Sequence, residues 1–208
     1  MNLGLAAATF ALVIPAELPD KTFISAVVLS TRHHPLPVWL GAASGLILQA
    51  GIAVLAGRLL ALLPHRVVGA IVALLFLGGA AYLLFTKEEA VEAEAGKLAE
   101  AEEELAAGTT ASTTVVSERS LRIVGASFLI VALAEFGDLT QVLVANLSAR
   151  SRDPLSVFVG AAVGFILISG VGVVAGRTLT RVVPLTVVRR LSGLALLGLG
   201  IWSVVEVA

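Results

Sequence analysis

The chain has 208 residues, of which 58% are hydrophobic and 14% charged, with a formal net charge of -1 and a mean hydropathy of +0.99. A water-soluble domain carries nearer ~25% charged residues, so this composition excludes an ordinary soluble globule and points to the lipid bilayer. The absence of cysteine excludes disulfide frameworks, thiolate metal sites and cysteine nucleophiles.

The first apolar run, residues 3–29, contains the acidic stretch Glu17-Leu18-Pro19-Asp20-Lys21-Thr22. It resembles a signal peptide in position only: it lacks a basic leading region and carries charge within it, so retention is expected. The second run, 38–63, holds Gly41, Gly45 and Gln49, and the third covers 67–85. A connector over 87–120 follows, rich in alanine and glutamate to residue 107 and then small and polar from Gly108 to Thr114. Its composition predicts a helix followed by a flexible, solvated linker that keeps two halves apart. The fourth run, 123–147, contains Glu135-Phe136-Gly137-Asp138-Leu139-Thr140-Gln141; the fifth is 155–174, with Ser169 inside it, and the sixth is 182–207.

Each run is near or above the ~20 residues that a helix needs to cross the hydrocarbon core, and all are longer than the ~9–11 residues of a membrane-barrel strand. The predicted fold is therefore all-α, a polytopic membrane protein of six transmembrane helices. Residues 1–86 form a first three-helix unit, 87–120 the acidic linker and 121–208 a second unit. The units repeat at an offset of about 118 to 120: Val38-Trp39-Leu40-Gly41-Ala42-Ala43-Ser44-Gly45 parallels Val157-Phe158-Val159-Gly160-Ala161-Ala162-Val163-Gly164, and Ala56-Gly57-Arg58 parallels Ala175-Gly176-Arg177. Three spans per unit is an odd number, so the second copy is predicted to be inverted. Nine lysines and arginines on one side, against Arg58, Arg66, Arg150 and Arg152 on the other, place the linker in the cytosol and both termini outside.

A carboxylate at the centre of a span costs at least ~2.5–3.5 kcal/mol on insertion scales. Glu17, Asp20, Glu135 and Asp138 are therefore functional candidates by default. In a helix, residues three apart share a face, so Glu17 with Asp20 and Glu135 with Asp138 each present two carboxylates in one direction, and inverted halves would bring both pairs to one interface. Pro19 and Gly137 stand at equivalent positions and predict matched breaks in the helical ladder, which free backbone carbonyls beside a cavity. Thr22, Thr140 and Gln141 add neutral oxygens. The resulting all-oxygen set suits Ca2+, Mn2+ or Mg2+ rather than Zn2+ or copper. Four close carboxylates cannot all stay ionised without a cation. An empty site therefore takes up protons that a divalent ion expels, the minimum machinery of an antiporter. Lys21 lies four residues after Glu17, and its counterpart is Leu139, so a Lys21–Glu17 pair would make the half-sites unequal. Gln49 and Ser169 fit helix packing or ion coordination equally well.

The duplicated acidic signature, three spans per half and an acidic central linker resemble the Gdt family of calcium/cation antiporters, which includes Golgi manganese and calcium transporters and bacterial manganese exporters. The resemblance covers essentially the whole chain. It implies Mn2+ or Ca2+ carried as substrate in exchange for protons, with no resident cofactor. In the family signature E-x-G-D-[KR]-[ST], Glu17, Asp20 and Thr22 match in the first copy, and Glu135, Gly137, Asp138 and Thr140 in the second, with Gln141 fitting its extension. Pro19 replaces the signature glycine and Leu139 the basic residue. The expected partners are divalent cations, protons and the bilayer, not nucleic acid. The expected location is a bacterial inner membrane. A second reading is an exporter of amino acids or other small solutes on the same architecture, disfavoured for anionic or zwitterionic substrates by the four acids. No histidine-rich metal motif or serine/histidine arrangement in the spans supports an enzyme.

Overall fold

The structure, a computed structural model, describes residues 1–17, 21–30, 33–85, 88–107, 116–182 and 185–207. Among them are nine helices and no strand: α1 (Leu3–Glu17), α2 (Lys21–Leu29), α3 (Pro35–Leu60), α4 (His65–Phe85), α5 (Glu88–Ala107), α6 (Val116–Ala134), α7 (Leu139–Arg150), α8 (Pro154–Val182) and α9 (Leu185–Val207).

The local starts and stops follow from side-chain chemistry. α3 opens on Pro35 after an extended His34; proline fits there because its missing N–H would be unsatisfied anyway. Arg58 lies in its last turn, where a cation meets the negative end of the helix dipole. α8 opens on Pro154 behind Asp153, whose carboxylate accepts from the Ser156 amide at 3.2 Å and the Ser156 hydroxyl at 2.7 Å. The Ser156 hydroxyl bond is the main reason that the Asp153 carboxyl sits at about 2. The Asn2 amide also donates to Asp153, at 2.7 Å, tying the start of α1 to the start of α8.

Of the six predicted spans, two stand as single helices long and apolar enough to cross a membrane, Pro35–Leu60 and Pro154–Val174. The first and fourth runs are each two helices: α6 and α7 are bent by 71° and α1 and α2 by 70°, so they count as spans only as broken pairs. The third and sixth runs correspond to α4 and α9, whose described apolar parts, Arg66–Tyr82 and Leu196–Val205, are shorter. By length and composition the described residues account for two to four of the six expected spans. In the α6–α7 pair the bend falls at the acidic motif, between Ala134 and Leu139.

α3 and α8 form the centre. They pack against each other, α3 also packs on α6 and α7, and α8 packs on α1. The main core joins Val13, Leu46, Ala50, Val131, Val144 and Phe165 from these five helices. A second layer pairs α4 with α9 and covers α7 through Val72, Phe76, Leu143 and Leu196. Outward-facing Leu74, Phe85, Leu133 and Val174 are 66–84% exposed. Apolar surface on this scale is a lipid-facing surface in a chain of this hydropathy.

Glycines set the closest approaches, and they do so twice in the same register. A Cβ at Gly41 would collide with Ser127 and the Val124 carbonyl, and one at Gly160 with Thr9 and the Ala6 carbonyl. One turn on, Gly45 faces Phe128 and Val131, while Gly164 faces Phe10 and Val13. Gly51 then faces Phe158, and Gly170 faces Trp39. Every residue in the second member of these pairs stands 118 or 119 positions from its equivalent in the first.

The linker departs from expectation. α5 is not a solvated spacer: it lies against α2 and α6, with Ala95, Ala99 and Glu102 buried. The small side chains of Ala95 and Ala99, one turn apart, allow this close approach. Glu89, Glu94, Glu100 and Glu104 do remain exposed.

Candidate functional site

Glu17 ends α1 and is 2% exposed; Glu135 follows the last residue of α6 and is 3% exposed. The chain breaks beside both. In the second motif, α6 stops at Ala134 because the backbone turns over: the Phe136 amide bonds the Leu133 carbonyl at 3.3 Å and the Asp138 amide bonds the Glu135 carbonyl at 3.2 Å. Gly137 takes φ +83°, a left-handed conformation that a side chain would strain. Its role as a break is therefore borne out. Leu18, Pro19 and Asp20 lie outside the described residues, as does the side chain of Lys21.

The premise that Glu135 and Asp138 share one helical face does not hold. Glu135 belongs to the exit of α6, whereas Asp138 is the N-cap of α7 and accepts from the Thr140 amide at 3.1 Å. A carboxylate there satisfies an orphan amide and meets the positive end of the helix dipole. Substituting D138A should lower stability by ~1 kcal/mol, while D138N, which can still cap, should cost only a few tenths. Thermal unfolding in detergent distinguishes the two, and equal losses would exclude the capping role.

Gln141 and Gln49 are brought together across the two halves. The Gly137 amide donates to Gln141 Oε1 at 2.7 Å, Gln141 Nε2 donates to Gln49 Oε1 at 2.6 Å, and Gln49 Nε2 donates to the Ala132 carbonyl. This relay satisfies backbone groups freed by the break and clamps α3 to the α6–α7 turn. Thr140 is buried beside it at 3% exposure.

The first motif faces a small cavity of about 10 Å3, room for about one water molecule or a bare cation. Glu17, Thr22 and Ser169 supply its polar lining, and Phe23, Ala26, Ala42, Leu46, Val131 and Ile168 the apolar remainder. Five helices from both halves thus meet around Glu17. Ser169 uses its hydroxyl proton on the Phe165 carbonyl at 2.6 Å, which leaves its oxygen lone pairs as the group it can turn to the cavity. Among the described residues Glu135, Asp138 and Gln141 do not line this cavity, and no group of three or more acidic or histidine side chains stands ready to hold a metal. The apolar lining residues carried no chemical signal in the sequence.

Each of the two helix breaks thus carries a buried glutamate, and the first faces a small cavity lined by helices from both parts of the chain. The family model described as "Divalent cation/proton antiporter GDT1" matches residues 5–91 and 123–208. This chain belongs to the GDT1 family. It is 30% identical over 210 residues to the GDT1-like protein 4 of Oryza sativa subsp. indica, covering 97% of this chain and 74% of that one. It is 31% identical over 167 residues to the GDT1-like protein sll0615 of Synechocystis sp., covering 80% of each. With the GDT1-like protein 3 of Arabidopsis thaliana the identity is 27%, over 94% of this chain and 68% of that one. No solved structure matches. Membership makes the chain a membrane transporter of the divalent cation/proton antiporter class. The unmatched stretch, 92–122, contains most of α5.

Proposed function

We propose that this GDT1 family member exchanges Mn2+ and/or Ca2+ for protons and exports Mn2+ from the cytosol of a bacterial-type cell. The two halves act as inverted repeats, with both termini outside and the linker cytosolic. Glu17, Asp20 and Thr22 from one motif and Glu135, Asp138, Thr140 and Gln141 from the other form the ion path, with Gln49 and Ser169 as supports and Lys21 as the asymmetric element. The observation that carries this reading is the burial of Glu17 and Glu135 to 2% and 3% exposure at matched helix breaks.

Buried carboxylates in surroundings of low polarity are stable when neutralised by a proton or by a hard cation. Exchange of one for the other at the same oxygens couples the two fluxes, and the relay through Gln49 and Gln141 holds the second break in shape while it occurs. The repeated register of the glycine seams supports the inverted-repeat reading, since exchange of two equivalent conformations alternates access to a fixed site.

The reading is tested in proteoliposomes carrying a pH-sensitive dye. Imposed Mn2+ or Ca2+ gradients should drive proton movement in the opposite direction, and a pH gradient should drive cation uptake. Cation flux with no proton counter-movement would overturn the coupling.

A further inference from the structure

α2 and α7 occupy equivalent places after the two breaks, yet different elements cover them. α7 is backed by the α4–α9 layer through Leu143 and its neighbours. α2 is backed by α5, with Ala95 clustering with Phe23, Ile24, Val27 and Ile168, and Ala106 against the cluster of Ala26, Leu29, Val38 and Ile123. Three residues of this covered helix, Thr22, Phe23 and Ala26, line the cavity beside Glu17. Whatever controls the seating of α5 therefore controls one wall of the cavity.

Among the described side chains of α5, the buried ones are Ala95, Ala99 and Glu102. Glu102 stands seven residues after Ala95 and three after Ala99, on the same face, and is 3% exposed. Its neighbour across the seam is Ser127 of α6, the residue that also packs against Gly41. α6 carries Glu118 and Arg119 in its first turn and Arg122 in the next, while α2 carries only Lys21. Residues 154–174 of α8 have no titratable side chain, and Arg58 of α3 is at the far end of that helix. On α5 itself Glu94, Lys97, Glu100 and Glu104 are exposed, and Glu103 is half-buried. A carboxylate in this seam is desolvated, with the buried Ser127 hydroxyl as its polar neighbour on α6.

We propose that Glu102 is the proton-binding site of a latch: its neutral form holds α5 docked on α2 and α6, and its ionised form releases α5 and with it the α2 wall of the cavity. Burial pushes the Glu102 carboxyl up from 4.5 to about 7, with the neighbouring Ser127 hydroxyl opposing part of the rise. A group whose docked value is raised binds more protons docked than free. Docking is therefore strongest below 4.5, weakens as pH rises through the window from 4.5 to about 7, and is constant above it. The docking equilibrium changes by up to roughly 300-fold across that window. In the proposed orientation this makes the latch a sensor of cytosolic pH, separate from the protons exchanged at the ion path. That consequence for transport rests on the proposed function, whereas the latch itself does not.

The test is a distance measurement, which needs no transport. The chain has no cysteine, so nitroxides can be placed on cysteines introduced at exposed Ala93 of α5 and Leu121 of α6 in the full chain, reconstituted in nanodiscs. Double electron–electron resonance should give a single short distance at pH 4.5 and a growing longer population towards pH 8. E102Q should hold the short distance at every pH, and S127A should move the midpoint upward. A distribution in the parent chain that is the same at pH 4.5 and pH 8 would overturn the latch, whatever the E102Q variant does. So would a pH response that survives E102Q.

Discussion

Replacing Glu17 or Glu135 by glutamine should abolish coupled cation transport while leaving the protein folded. Glutamine keeps the volume and one oxygen acceptor of the side chain but removes both its charge and its exchangeable proton. Taking away one partner of a buried ion pair costs ~3–5 kcal/mol, and ~1.4 kcal/mol is a factor of ten. Cation affinity should accordingly fall by roughly 100-fold or more at either position. The fold should tolerate the change, because a neutral amide in a 2–3% exposed site avoids the desolvation of a charge. The measurement is Mn2+ and Ca2+ flux in proteoliposomes for the parent, E17Q, E135Q and the double variant, with size-exclusion profiles as the check on folding. Normal flux in both single variants would remove these residues from the ion path. A loss in E17Q alone would confine the site to the cavity beside α1 and α2, where Glu17 meets Thr22 and Ser169.

The features of this site that were legible in the sequence are those fixed by local chemistry. The cost of an intramembrane acid singled out Glu17 and Glu135, and glycine in place of a side chain singled out Gly137, whose φ of +83° is the break itself. What local chemistry could not supply was where each helix stops. Periodicity placed Glu135 and Asp138 on one face, but the turn after Ala134 makes Asp138 a cap on the next helix. The Gln141–Gln49 bond joins residues 92 positions apart, and either residue alone reads as packing or as ligand. Glu102 was hidden for a different reason. It is one of eight glutamates in residues 88–104, and nothing in that stretch marks which one faces α6. Alanine is equally at home on a solvated helix and in a tight helix seam, so the composition of α5 fitted a spacer as well as a docked helix.

Alanine substitutions at the paired glycines should produce a graded and matched loss of stability. At Gly41 the new methyl would meet the Val124 carbonyl at 2.5 Å, and at Gly160 it would run into the Ala6 carbonyl. Both obstacles are backbone, so relief requires moving a whole helix rather than a rotamer. Overpacking of this kind costs typically ~1–3 kcal/mol, and G41A and G160A should fall in the upper part of that range. At Gly45 the nearest atom is the Phe128 carbonyl at 3.0 Å, and at Gly164 it is a Val13 methyl at 3.3 Å. Those variants should lose less, with G164A mildest because a side chain can yield. Gly78 and Gly198 are the controls, since a Cβ there meets nothing within 4 Å, and G78A and G198A should be neutral or gain up to ~1 kcal/mol from helix propensity. Thermal unfolding of the six variants in one detergent ranks them. If G41A and G78A proved equally stable, the α3–α6 seam would not be close-packed. If G41A were destabilised and G160A were not, the two seams would differ in energy despite their shared register. In that case alternating access by exchange of equivalent halves would lose its structural basis, because each half must be able to adopt the packing of the other at similar cost.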